Sequence, residues 1–206
     1  MKLVMVLCLG VLAVGCGDAR GADGDSTVTA DVLVNEAMAV AHLRCLAAAQ
    51  TQASVLGVID TNENGVGEHG FLAELAGSRT PRGPGKGLRV ELLSDAFGEL
   101  SDDGIPEIDG YRFQVFLPGV DGAAVSASDV DSTVDVLMAE RAWVAYAWPV
   151  KYEETGVRTF VVLADGAVHS IDLPGYSGAD APAGTAALAP GEAFGRGVRP
   201  EWQRVD

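Results

Sequence analysis

The sequence has little cysteine, little positive charge and no long apolar run at its start, and each shortage excludes something. Three cysteines in 206 residues cannot build a disulfide framework. Fourteen Lys and Arg against 29 Asp and Glu give a formal net charge of −15. That balance argues against DNA or RNA as a partner, because phosphate binding needs a positive field. It also disfavours broad electrostatic docking onto anionic lipid. The opening apolar run covers only residues 3–14, whereas a membrane-spanning helix needs about twenty apolar residues. No Cys or His cluster supplies four zinc ligands, and no Gly-x-Ser-x-Gly elbow presents a serine nucleophile. What is present suffices for a core: 48% hydrophobic and 21% charged residues specify one folded domain of ordinary size.

Met1-Lys2 is a short positive start, and the apolar run after it has the length of a secretory signal. The run closes on Ala13-Val14-Gly15-Cys16. Small residues before a cysteine at this place resemble the lipobox of bacterial lipoproteins, in which the cysteine is lipidated and becomes the mature N-terminus. The resemblance implies lipidation at Cys16 and anchoring to a bacterial membrane, facing the periplasm or exterior. Ordinary signal cleavage and soluble export is the alternative. Loss of Lys2 with the leader takes the net charge from −15 to −16. The expected organisation is a signal peptide over 1–15, a flexible tether rich in Gly, Ala and Asp over 16–28, a folded domain over 29–174, and an Ala/Gly/Pro-rich tail over 175–206, expected to be poorly ordered.

The folded part reads as α+β. Residues 31–54 form a predicted helix, with Thr29 as N-cap, Asp31 at the positive end of the helix dipole and Gly57 past its end. Leu33, Ala37, Val40, Ala41 and Ala47 or Ala48 are its predicted core stripe. Short helices are expected over 71–75 and 132–141. Tyr111, Phe113, Val115 and Leu117 alternate with Arg112 and Gln114, as on a strand with one buried face. Residues 143–148 are apolar on both faces and suit a central strand. Ala164-Asp165-Gly166 between two apolar runs is a hairpin signal. The expectation is a long N-terminal helix packed on a small antiparallel sheet of three or four strands.

Several short motifs then point one way. They are Asn35-Glu36, Leu43-Arg44, Ala49-Gln50, Gly67-Glu68-His69-Gly70-Phe71, Glu74-Leu75-Ala76-Gly77, Gly110-Tyr111-Arg112-Phe113, Ala145-Tyr146-Ala147-Trp148-Pro149 and Thr155-Gly156 with Arg158-Thr159-Phe160. Together they resemble the globular head of type IV pilins, type II secretion pseudopilins and similar envelope proteins. The resemblance implies a pilin-like head of non-enzymatic, assembly-accessory type, with another envelope or secretion-machine protein as partner. Pilins carry a long apolar stalk with a Glu near its start. Here the run is twelve residues long, lacks that Glu and ends at Cys16, so the head stands behind a lipid anchor instead.

Other residues carry chemistry. Asp60, Asn62, Asn64 and Gly65 occupy positions one, three, five and six of a calcium loop, and Glu68 position nine. Phe71 stands where the bidentate Glu belongs. The loop is either a calcium site or a polar turn, and an exported calcium- or ligand-binding domain is the alternative function. Arg79, Arg82, Lys86 and Arg89 fall within eleven residues with no acid among them. They form either a partner-contact patch or a solvated loop. His42 and Cys45 sit one helical turn apart without further ligands. His169, Ser170 and Asp172 are triad residue types, but strand neighbours diverge. No catalytic constellation is expected, nor any cofactor beyond that calcium.

Overall fold

Thr29 begins the first helix as its sequence predicts. The structure is a computed structural model and describes residues 29–84, 90–101, 103–129, 134–190, 194–195 and 197–206; Cys16, Lys86 and Arg89 lie outside them. Helix α1 spans Ala30–Leu56, and the Thr29 hydroxyl accepts the Val32 N–H at 3.3 Å. Gly57 ends it in the left-handed region at φ 59°, a conformation a Cβ would penalise.

The predicted stripe of α1 is rotated. The buried residues are Val32, Glu36, Ala39, Val40, Leu43, Leu46, Ala49, Gln50 and Ala53, while Leu33 is 56% exposed. The helix is apolar nearly all round, so its period names no face. By length and composition it could cross a membrane, with mean hydropathy 1.4 over an 18-residue stretch. It instead lies across the sheet, and the side turned inward is the one whose two polar residues find partners: Glu36 and Gln50, fourteen residues apart on one face.

Beyond α1 come α2 (Leu72–Leu75), a 3-10 turn (Asp95–Phe97), β1 (Glu107–Ile108), β2 (Tyr111–Pro118), β3 (Ala124–Val125), α3 (Val136–Ala139), β4 (Val144–Pro149), β5 (Arg158–Leu163), β6 (Val168–Asp172) and β7 (Gln203–Arg204). The described strands form one seven-stranded antiparallel sheet in the order β1-β2-β4-β5-β6-β7, with β3 also on β2. The expected three or four strands are β2, β4, β5 and β6. The three others are two residues long, too short to show a pattern. β4 is buried along its whole length, as a central strand should be. The β5–β6 hairpin turns at Gly166, with the Asp165 carboxylate accepting the Ala167 N–H at 3.0 Å.

Each face of the sheet has its own cover. Tyr111, Phe113, Val115, Leu117, Ala145, Ala147, Phe160 and Val162 face the layer that holds α1. The two alanines of β4 leave room for the helix backbone to come close. Phe116, Val144, Tyr146, Trp148, Val161 and Leu163 point the other way and pack with Ala187, Leu188 and Trp202. The described part of 175–206 is thus a second cover, which corrects the expectation of a poorly ordered tail. Small residues are what a chain needs to settle on large aromatics without clashing. The Gly178 carbonyl accepts both Arg112 Nη1 at 2.8 Å and Trp148 Nε1 at 2.9 Å. Tyr146 Oη accepts the Ala187 N–H at 3.0 Å and donates to the Gly184 carbonyl at 3.3 Å.

Candidate interaction site

The chain leaving α1 folds back along the helix end. Ile59 is fully buried there, and the calcium-pattern loop follows it. Asp60 turns both oxygens onto the loop's own backbone: Oδ1 accepts the Asn64 N–H at 3.1 Å and Oδ2 the Gly65 N–H at 3.0 Å. Asn62 Oδ1 accepts the Asn64 N–H at 3.0 Å, and Asn64 Oδ1 the Val66 N–H at 2.8 Å. Both asparagine amides donate to Glu140 Oε1, at 3.1 and 2.7 Å, tying the loop to the end of α3. Glu68 is fully buried, and its Oε1 accepts the Thr61 N–H at 2.7 Å and the Thr61 hydroxyl. These oxygens serve separate backbone turns. Among the described residues no group of three or more His, Cys, Asp or Glu is placed to hold a metal.

A buried polar cluster lies next to this loop. Glu74 Oε1 accepts both the Arg82 N–H at 2.9 Å and Arg82 Nε at 3.1 Å, and its Oε2 accepts the Phe71 N–H at 2.8 Å. Arg82 Nη2 donates to the His69 carbonyl at 2.7 Å, and its guanidinium sits 4.9 Å from the centre of the Phe71 ring. The Gln50 amide closes a two-way pair with the Gly70 backbone, at 2.8 and 2.9 Å. The His69 ring lies against Trp143 with centroids 6.0 Å apart. Burial lowers its pKa to about 4, against a smaller upward pull from the Gln50 backbone. Glu68 Oε2, His69 Nδ1 and Arg82 Nη1 have no partner among the described residues.

This placement revises the proposed basic patch. Arg82 faces inward, with its side chain 3% exposed against Glu74. Arg79 is exposed, and Lys86 and Arg89 lie outside the described residues. His42 bonds Asp109 at 2.9 Å between the rings of Phe97 and Phe113. Along β6, Ser170 is buried and its neighbour His169 is half-buried, on alternate sides of the strand.

The sequence singled out no role for Glu36 or Arg158, yet they make the strongest tie between helix and sheet. Glu36 is 1% exposed. Its Oε1 accepts the backbone N–H groups of Val157 and Arg158 at 3.1 and 3.0 Å, and its Oε2 accepts Arg158 Nε and Nη2 at 2.7 and 2.6 Å. Asn35 Nδ2 donates to the Thr155 carbonyl at 3.0 Å. Tyr111 Oη donates to the Arg158 carbonyl at 2.8 Å, and burial first, then the Glu36 charge, raises the Tyr111 pKa. Gly156 passes so close that a Cβ would stand 2.0 Å from Tyr111 Oη. The available signal was a lone acid inside an Ala-rich apolar helix, which has to be either paired or on the outside.

Among the described residues the outer side of α1 is exposed along its length. Leu33, Val34, Val55 and Leu56 are 56, 55, 81 and 56% exposed, with Ala37, Ala41 and Ala48 exposed between them. Arg44 is the one charged residue exposed in the interior of this side. A shallow groove of about 290 Å³ runs beside it between Leu33, Ala37, Arg44, Arg158, Val205 and Asp206.

These features define an α+β domain with a helix over one face of an antiparallel sheet and a folded-back tail over the other. Its described acids and bases mostly hold the chain together. The chain belongs to the family described as "Protein of unknown function (DUF2950)", which matches residues 92–195. The match takes in β1 to β6 and runs past 174 into the tail that covers the sheet. No curated protein and no solved structure matches the chain.

Proposed function

We propose that this protein is a lipid-anchored bacterial cell-envelope protein of non-enzymatic, interaction or assembly-accessory type with a pilin-like head. The observation that carries the reading is the order along the chain. A short apolar leader ends in Val14-Gly15-Cys16, twelve residues rich in Gly, Ala and Asp follow, and Thr29 then caps the helix of a folded domain. Three acyl chains on Cys16 would hold such a domain firmly, at about 0.8 kcal/mol per buried CH₂. The long helix laid on an antiparallel sheet supports the pilin-like comparison. The calcium-binding alternative has Asp60, Asn62 and Asn64 already accepting N–H groups of their own loop.

The test is intact mass and membrane fractionation of the expressed full chain beside Cys16→Ser. The expected result is loss of fifteen residues with added acyl mass, and release of Cys16→Ser from the membrane. An unmodified wild-type protein in the soluble exported fraction overturns the anchor.

A further inference from the structure

We infer that the outer side of α1 is a lipid-contacting surface, lying along the membrane to which Cys16 tethers the domain. The inference rests on the lipid-anchor reading above and adds the orientation of the head. The helix is more apolar than its core contacts require: mean hydropathy reaches 1.4 over an 18-residue stretch, yet only 33% of that stretch is buried inside the protein. The remainder is not scattered. Leu33 and Val34 mark one end of the outer side and Val55 and Leu56 the other, with Ala37, Ala41 and Ala48 between them beside the exposed polar Arg44, Thr51 and Gln52. Aliphatic exposure along one side of a helix about 40 Å long marks an interaction surface.

Charge selects the occupant. The chain carries 29 acids, but α1 holds only Asp31 at its start and Glu36, which is buried against Arg158. Acids stand only at the edges of the outer side, Asp31 at its start and Asp165 and Asp206 in the grooves that flank Arg44, and Arg44 at mid-helix can reach phosphate with its stem along the apolar surface. A second copy of this helix fits less well. In a parallel in-register pair, or an antiparallel pair crossed at the helix centre, Arg44 meets Arg44. Chain length agrees with the lipid: the residues between Cys16 and Thr29 reach at most about 45 Å, so an anchored head stays within one domain diameter of the bilayer. Small exposed alanines give weak lipid affinity in free solution. The tether makes the contact intramolecular and supplies the effective concentration.

The test uses lipidated full-length protein floated with phosphatidylethanolamine vesicles. A diazirine-bearing amino acid stands at position 41 in one sample and at position 201, exposed next to the tail's Trp202, in the other. Adducts are read by intact mass after illumination. The expected result is phospholipid adduct at 41 in about tenfold excess over 201, lost in an Ala37→Glu/Ala48→Glu variant that melts at the wild-type temperature. A protein–protein crosslink at 41 overturns the inference in favour of a second copy. Vesicle-bound protein with no adduct excess at 41 overturns it and leaves the anchor standing. Protein of unacylated mass that fails to float overturns both, with the anchor as the failed step.

Discussion

Glu36 is the residue that orients α1. Its carboxylate takes four N–H donors from Val157 and Arg158. Glu36→Ala would leave two backbone N–H groups buried without an acceptor. The expected loss is about 3 kcal/mol in chemical denaturation, with a smaller loss for Glu36→Gln, which keeps one acceptor oxygen. A result within experimental error of wild type would show that the helix is held by apolar contacts alone. His69 acts through pH. Its pKa falls from 6.5 to about 4 on burial, so between those values the unfolded chain binds a proton that the native state refuses. Stability contributed at neutral pH is lost as pH falls from about 6.5 to about 4, up to about 3 kcal/mol, and is flat above and below that window. His69→Gln is expected to flatten this part of the pH–stability curve; an unchanged slope would move the effect to other groups.

At the scale of elements, the strands were legible and the helix face was not. β2 alternates, β4 is apolar throughout, and Asp165-Gly166 marks the hairpin, so periodicity and turn chemistry agreed on four strands. Helix α1 lacks contrast between its sides, and its inward side was fixed by Glu36 and Gln50 finding partners 121 and 20 residues away. Sequence spacing does not contain such pairings. The calcium-pattern loop shows a related ambiguity, since Asp and Asn at alternate positions serve a metal or a run of Asx turns equally well. The observed oxygens face backbone N–H groups. The melting temperature is therefore expected to be the same in calcium and in chelator, and Asp60→Ala to cost about 1 kcal/mol in either. A calcium-dependent rise that Asp60→Ala abolishes would restore the metal site, because a ligand of the native state raises its stability.

For the whole molecule, the decisive feature is the sheet covered on both faces, with residues after 174 supplying one cover. Composition concealed this, because Ala, Gly and Pro read as a loose tail until the aromatic face beneath them is known. Deleting 175–206 would uncover Phe116, Tyr146 and Trp148. The shortened chain is expected to lose its near-ultraviolet circular dichroism and to aggregate on size exclusion; a monomer with native signal would show that the cover is dispensable. The same arrangement sets the timing of folding. Helix α1 is made early, yet its clasp at Val157 comes 121 residues later, and the far face waits for Trp202. A chain entering a translocation channel N-terminus first cannot close its core until Trp202 has come through. For a protein exported as proposed, that delay keeps the polypeptide threadable.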